Sequence, residues 1–105
     1  DLQSMLAQAQ KMQEEMERMK DDVAKKTVTA EAGGGMIKVT VNGANQVLSI
    51  KINKDAVDPN DVEMLEDLVV AAVNKALNEI QEIAAKEMDK LNGMLPNIPG
   101  LNLPF

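Results

Sequence analysis

Apolar residues recur through the first two dozen positions at Leu2, Met5, Ala9, Met12, Met16, Met19 and Val23. Steps of three and four alternate, which is the heptad repeat of a helix with one narrow apolar seam. The positions between carry Gln, Glu, Lys, Arg and Asp, and neither Pro nor Gly interrupts them. The pattern predicts a single long helix. So narrow a stripe suits another helix better than a broad sheet surface. Two destinations stay open for it. One is the protein's own sheet. The other is a helix contact, either with a second molecule or antiparallel.

The period then changes to two. Residues 26–32 alternate, with Val28, Ala30 and Ala32 on one face, and Gly33, Gly34 and Gly35 form a turn. Residues 36–41 alternate again, with Ile37, Val39 and Val41 on one side and Lys38 and Thr40 on the other. Asn42-Gly43 signals a hairpin. Residues 46–52 form a third strand with Leu48, Ile50 and Ile52 inward. A loop at 42–45 sets Val39 opposite Leu48 and Ile37 opposite Ile50, which matches apolar to apolar. The prediction is a three-stranded antiparallel meander.

A second helix follows Asp58-Pro59-Asn60, where Asn60 and Glu63 have the spacing of a capping box. Val62, Leu65, Leu68, Val69, Ala72, Val73, Ala76, Leu77 and Ile80 make a wide stripe of the kind that covers a sheet. The stripe narrows to Ile83, Ala84, Met88 and Leu91, so the helix is expected to start on the body and project from it. Gly93 is the expected stop, and a helix over residues 60–92 would be roughly 50 Å long. The fold class is α+β: α-β-β-β-α, a meander with two long helices. One domain is expected over residues 1–95. Residues 96–105 form a Pro-rich apolar C-terminal tail, unsuited to helix or central strand.

Composition limits the chemistry. The chain has 105 residues, and Phe105 is its one aromatic. Eight Met fill part of that role, but Met specifies packing geometry poorly. A core built this way is thin, and oligomerisation is one remedy. With no Cys and no His, thiolate ligands, disulfides and the usual general base are missing. Ser4 and Ser49 have no evident base partner. The three-glycine turn lacks the Lys-Ser/Thr of a phosphate loop. Asn53, Asp55, Asp58 and Asp61 lack the Gly and closing Glu of a calcium loop. No enzyme activity, metal, cofactor or small-molecule substrate is expected. No apolar run reaches a membrane span, and no signal peptide is visible. The chain opens on Asp1, and native residues before it are expected.

The formal net charge is -6, which by itself favours a protein partner over nucleic acid. Placement changes that picture. Lys11, Arg18 and Lys25 are seven apart, so they form one line along the first helix at about 10.5 Å intervals. Lys20 and Lys26 sit near the same end, and Lys86 and Lys90 lie on the projecting half of the second helix. The plainer reading is a solvated face, with Glu14 and Asp21 forming i,i+4 pairs to Arg18 and Lys25.

The sequence resembles the YbaB/EbfC family of bacterial nucleoid-associated proteins over nearly its whole length. The resemblance is carried by Gln8-Ala9-Gln10-Lys11-Met12-Gln13-Glu14, Gly33-Gly34-Gly35-Met36 and Val39-Thr40-Val41-Asn42-Gly43. It continues in Met64-Leu65-Glu66-Asp67-Leu68-Val69, Ala71-Ala72-Val73-Asn74-Lys75-Ala76 and the close, Pro99-Gly100-Leu101-Asn102-Leu103-Pro104-Phe105. It implies a tweezer-like homodimer with helices projecting from a joined sheet body. It also implies duplex DNA binding, effects on transcription, and residence in the nucleoid of the bacterial cytoplasm. Candidate DNA-binding residues are Lys11, Arg18, Lys20, Lys25, Lys26, Lys86 and Lys90; only Lys11 lies in a matching motif. Candidate seam or dimer residues are Met5, Met12, Met16, Met19, Ile37, Val39, Val41, Leu65 and Leu68. The competing expectation is a protein-interaction adaptor, or a small chaperone-like clamp, that uses the Met-rich seam.

Overall fold

A computed structural model describes residues 1–94; the expected tail, 96–105, lies outside the described residues. Helix α1 is Leu2–Lys25, strands β1, β2 and β3 are Thr27–Ala32, Ile37–Asn42 and Val47–Ile52, and helix α2 is Val62–Met94. A short 3-10 turn, Lys54–Ala56, precedes α2. The order is therefore α-β-β-β-α, with an antiparallel sheet in the order β1-β2-β3.

Local chemistry sets the ends. Asp1 caps α1 by accepting from the Ser4 N–H at 2.7 Å. At α2 the Met64 N–H is 3.2 Å from an Asp61 carboxylate oxygen, so Asp61 and not Asn60 serves as the cap. The helix begins one residue later than the capping-box spacing implied. Gly93 lies inside α2 rather than after it. In the hairpin, the Asn42 side-chain oxygen accepts from the Ala44 and Gln46 N–H groups at 2.9 and 3.1 Å. That loop brings Val47 opposite Val41, and a bulge between Thr40 and Val41 leaves Leu48 unpaired. Val39 then faces Ile50 and Ile37 faces Ile52, two residues from the expected register. A slip of two keeps every side chain on its face, so the apolar pattern could not detect it.

Ala72, Ala76 and Ile80 of α2 pack on Ala30, Ile37, Val39 and Val41. Small residues on the helix let it approach the sheet closely, while the strands supply the bulk. Contact runs to β1 and β2. A helix is about 10 Å wide and strands are about 4.8 Å apart, so one helix covers two strands and not three. Consequently Leu48, Ile50 and Ile52 are not buried inward as expected: they are 53%, 43% and 42% exposed.

Gly43 sets how α1 meets this body. Its N–H donates to the Lys26 carbonyl at 3.0 Å. A Cβ there would lie 1.7 Å from the Val23 carbonyl oxygen. The Asn-Gly pair does mark a hairpin, but among the positive-φ glycines Gly43 is absent. Close approach of α1, not turn geometry, requires it. Gly43→Ala is expected to push the end of α1 outward at a cost of about 2 kcal/mol, lowering Tm by about 10 °C in a thermal melt.

Candidate nucleic-acid interface

The radius of gyration is 20.0 Å and the extents are 71 × 23 × 16 Å, against about 13 Å for the radius of a compact chain of 100 residues. The elongation comes from the two helices. α2 crosses the sheet from Leu68, beside Gly33, to Glu87, beside Lys26, and continues outward. α1 returns along this arm to the start of β1.

All seven candidate basic residues are exposed. On α1 the line of Lys11, Arg18 and Lys25 lies roughly opposite the apolar stripe, since a heptad keeps each set on its own face. Arg18 pairs with Glu15, one turn away, in place of the expected pair with Glu14. No Asp21–Lys25 bridge forms either. Among the described residues Lys11, Lys20, Lys25 and Lys86 carry no ion pair within 4.0 Å. Exposed helix pairs contribute only a few tenths of a kcal/mol, so Arg18 exchanges partners readily.

The structure brings Lys26 and Lys90 together on one carboxylate. Glu87 lies 3.5 Å from the Lys26 amine and 3.3 Å from that of Lys90. The hydrogen bond from Lys90 and the charge of Lys26 hold its carboxyl below the usual carboxylate range. A depressed folded pKa contributes stability above the unfolded value and loses it as pH falls through the folded one. Glu87→Gln should therefore weaken the α1–α2 junction by the same amount from about pH 5 to 8, with the difference fading below about pH 4. Amide exchange in α1 at a series of pH values reads this directly.

The seam candidates divide. Ile37, Val39 and Val41 are fully buried in the chain's own core, and Leu65 and Leu68 pack half-buried against it. They hold α2 to the sheet within one chain. Met12, Met16 and Met19 are half-buried, and Met5 is 65% exposed. Met19, Val23 and Ala24 line an apolar cleft of about 410 Å³ with Gly43, Ala44, Ala84 and Met88. The inner half of the seam thus meets the chain's own α2, the antiparallel alternative.

Two features escaped the helix-centred reading of the sequence. One is the exposed apolar row of β3, Val47, Leu48, Ile50 and Ile52. The other is a basic pair on the outer sheet face, where Lys38 and Lys51 stand directly opposite. Glu31 lies 3.7 Å from Lys38. The alternation of Lys38 with Ile37 and of Lys51 with Ile50 carried that second signal. Among the described residues no group of three His, Cys, Asp or Glu could hold a metal ion. No described helix is long and apolar enough to cross a membrane.

Residues 1–95 match the YbaB/EbfC DNA-binding family. A nucleoid-associated protein of Syntrophobacter fumaroxidans is 54% identical over 99 residues, covering 94% of this chain and 89% of the relative. One from Thermoanaerobacter pseudethanolicus is 54% identical over 101 residues, covering 96% and 90%. One from Pelotomaculum thermopropionicum is 46% identical over 101 residues, covering 96% and 95%. An uncharacterized protein from Helicobacter pylori has the same fold, with a TM-score of 0.76 at 19% identity over 89% of this chain and 98% of that one. A match that runs through both helices and all three strands leaves no element unaccounted for, and the chain belongs to the YbaB/EbfC DNA-binding family.

Proposed function

We propose that the protein is a homodimeric, nucleoid-associated protein that binds duplex DNA mainly through its backbone. The observation that carries this reading is the α1 arm, which stands clear of the body with Lys11, Arg18 and Lys25 exposed in one line. Lys and Arg on such a line meet phosphates and carry no sequence code. Lys20, Lys26, Lys86 and Lys90 add positive charge near the base of the arm. The relatives' description as nucleoid-associated proteins supports the same partner. Location in the bacterial nucleoid and effects on transcription follow from occupancy of the duplex.

Dimerisation is supported by β3. It is an edge strand with unpaired backbone groups on its free side and an apolar row that α2 leaves bare. A second copy pairing there buries the row and removes the edge. Two arms then project from one joined body. The dimer carries about twice the net charge of -6 and repels DNA at long range. Binding therefore depends on local lysines, with the acids of α2, such as Glu66, Asp67, Glu79 and Glu82, kept off the duplex.

A second reading has its own support. α1 carries Glu14, Glu15, Glu17, Asp21 and Asp22 against Lys11, Arg18, Lys20 and Lys25, and its tip exposes Leu2, Met5 and Leu6. That surface also fits an adaptor for a protein partner. An electrophoretic shift with a duplex of arbitrary sequence separates the two. A shift at low salt that survives Met5→Asp supports the DNA reading. No shift, with a copurifying protein lost on Met5→Asp, supports the adaptor.

A further inference from the structure

The apolar stripe of α1 is covered at its inner end only. Val23 is 9% exposed, whereas Leu2, Met5 and Leu6 are 71%, 65% and 57% exposed. The cover is α2, which meets Met19 and Val23 through Ala84 and Met88. It ends at Met94, about 9 Å beyond Met88, and so stops short of residues 2–12. A second fact marks the same stretch. Charged residues make up 27% of the chain, yet residues 2–10 have none, though all nine are exposed. A helix face kept for water carries charge. Loss of charge with Met and Leu retained is the composition of an interface centre.

We propose that this tip pairs antiparallel with the same tip of a second copy, over residues 2–13. The stripe is self-complementary in that sense. Leu2 lies against Met12 and Met5 against the small Ala9, each pair occurring twice about a two-fold axis. Leu6 and Gln8 meet their own counterparts across that axis, and two glutamine amides satisfy each other as donor and acceptor. Antiparallel helices also oppose their macrodipoles. The inner half carries Glu14, Glu15, Glu17, Asp21 and Asp22 and would set acid against acid, which limits the pairing to the tip. The two copies are not those joined at β3. Overlap at the tips sends the bodies to opposite ends, with the two Lys25 about 54 Å apart, so the same two sheets cannot share an edge. The overlap is under two heptads, fewer than mark a stable coiled coil, so the contact is weak in dilute solution and grows with local concentration. On a duplex held as proposed above, it ties one bound molecule to the next. The pairing itself rests on α1 alone and does not depend on DNA binding.

The chain has no Cys, so Gln8→Cys in the full chain gives one thiol beside the axis. Ala7→Cys gives one that is also exposed but lies on the far side of the helix. Without DNA, a short bis-maleimide should join Gln8→Cys chains in pairs, with an initial yield that rises with protein concentration and stands well above that of Ala7→Cys. Adding Met5→Glu and Leu6→Glu should lower the yield by about tenfold or more, with helix content unchanged, since both residues are exposed. Gln3→Glu with Gln10→Glu adds the same charge outside the stripe and should leave most of the yield. Equal yields from Gln8→Cys and Ala7→Cys overturn the proposal. So does a yield indifferent to the Met5 and Leu6 changes, or lowered equally by the Gln3 and Gln10 changes. A yield independent of concentration also overturns it, because it places the contact inside a preformed dimer.

Discussion

Reversing Lys11, Arg18 and Lys25 to Glu is expected to weaken binding to duplex DNA by about a thousandfold or more at about 50 mM salt. The size follows from counterion release. In the proposed dimer, three residues on each of two arms would make about six phosphate contacts, and the affinity from six such contacts falls about three decades between 50 and 200 mM salt. Reversal removes the contacts and adds repulsion on an arm already flanked by Glu14, Glu15, Asp21 and Asp22. Each lost contact also lowers the salt slope by about one, so the slope should approach zero. The variant should keep its fold and the proposed dimer, because all three side chains are exposed and the one ion pair among them, Arg18 to Glu15, is a surface pair. Fluorescence anisotropy with a labelled duplex measures the loss, and sedimentation confirms the dimer. Affinity unchanged within threefold would remove these residues from the interface.

Ile50→Asp is expected to convert the proposed dimer to a monomer. Ile50 is 43% exposed in the single chain, yet it pairs with the fully buried Val39, on the β3 part of the α2-facing side that the helix leaves uncovered. A charge there costs the isolated chain little, because water reaches it. In a two-fold interface the same change is present twice. At about 2 kcal/mol for each buried anchor, the combined loss is about 4 kcal/mol, or about three decades in the dimer Kd. Sedimentation velocity over a concentration series reads the change. Glu63→Gln, on the first turn of α2, removes one charge without touching β3 and should leave the dimer intact. A dimer that tolerates Ile50→Asp would place the interface elsewhere.

Most of the fold was legible because alternation and heptad spacing are local. The sequence pattern marks both helices, all three strands and their antiparallel order. What it could not mark is tertiary. The Leu48 bulge displaces the register by two residues, a change invisible to a period of two. β3 is bare because α2 is only wide enough for β1 and β2, and no residue in β3 records that. Gly43 looked like a turn residue, but it is held by the Val23 carbonyl, twenty positions away. Asp61 and Asn60 are both good caps, and the path of the preceding turn decides between them. The basic residues were legible one by one. Their pairings were not: Arg18 turns to Glu15, and Lys26 crosses to Glu87 on the other helix. The seam told that α1 needs a partner helix, and the structure supplies α2 for its inner half.

Binding of duplex DNA through phosphates is tested most directly by titrating the unaltered protein against two duplexes of unrelated sequence at several salt concentrations. Backbone contacts by six basic side chains predict that log affinity falls linearly with log salt at a slope near -5, and that the two duplexes behave alike. No binding at about 50 mM salt, or binding that does not change with salt, would contradict a phosphate-gripping arm.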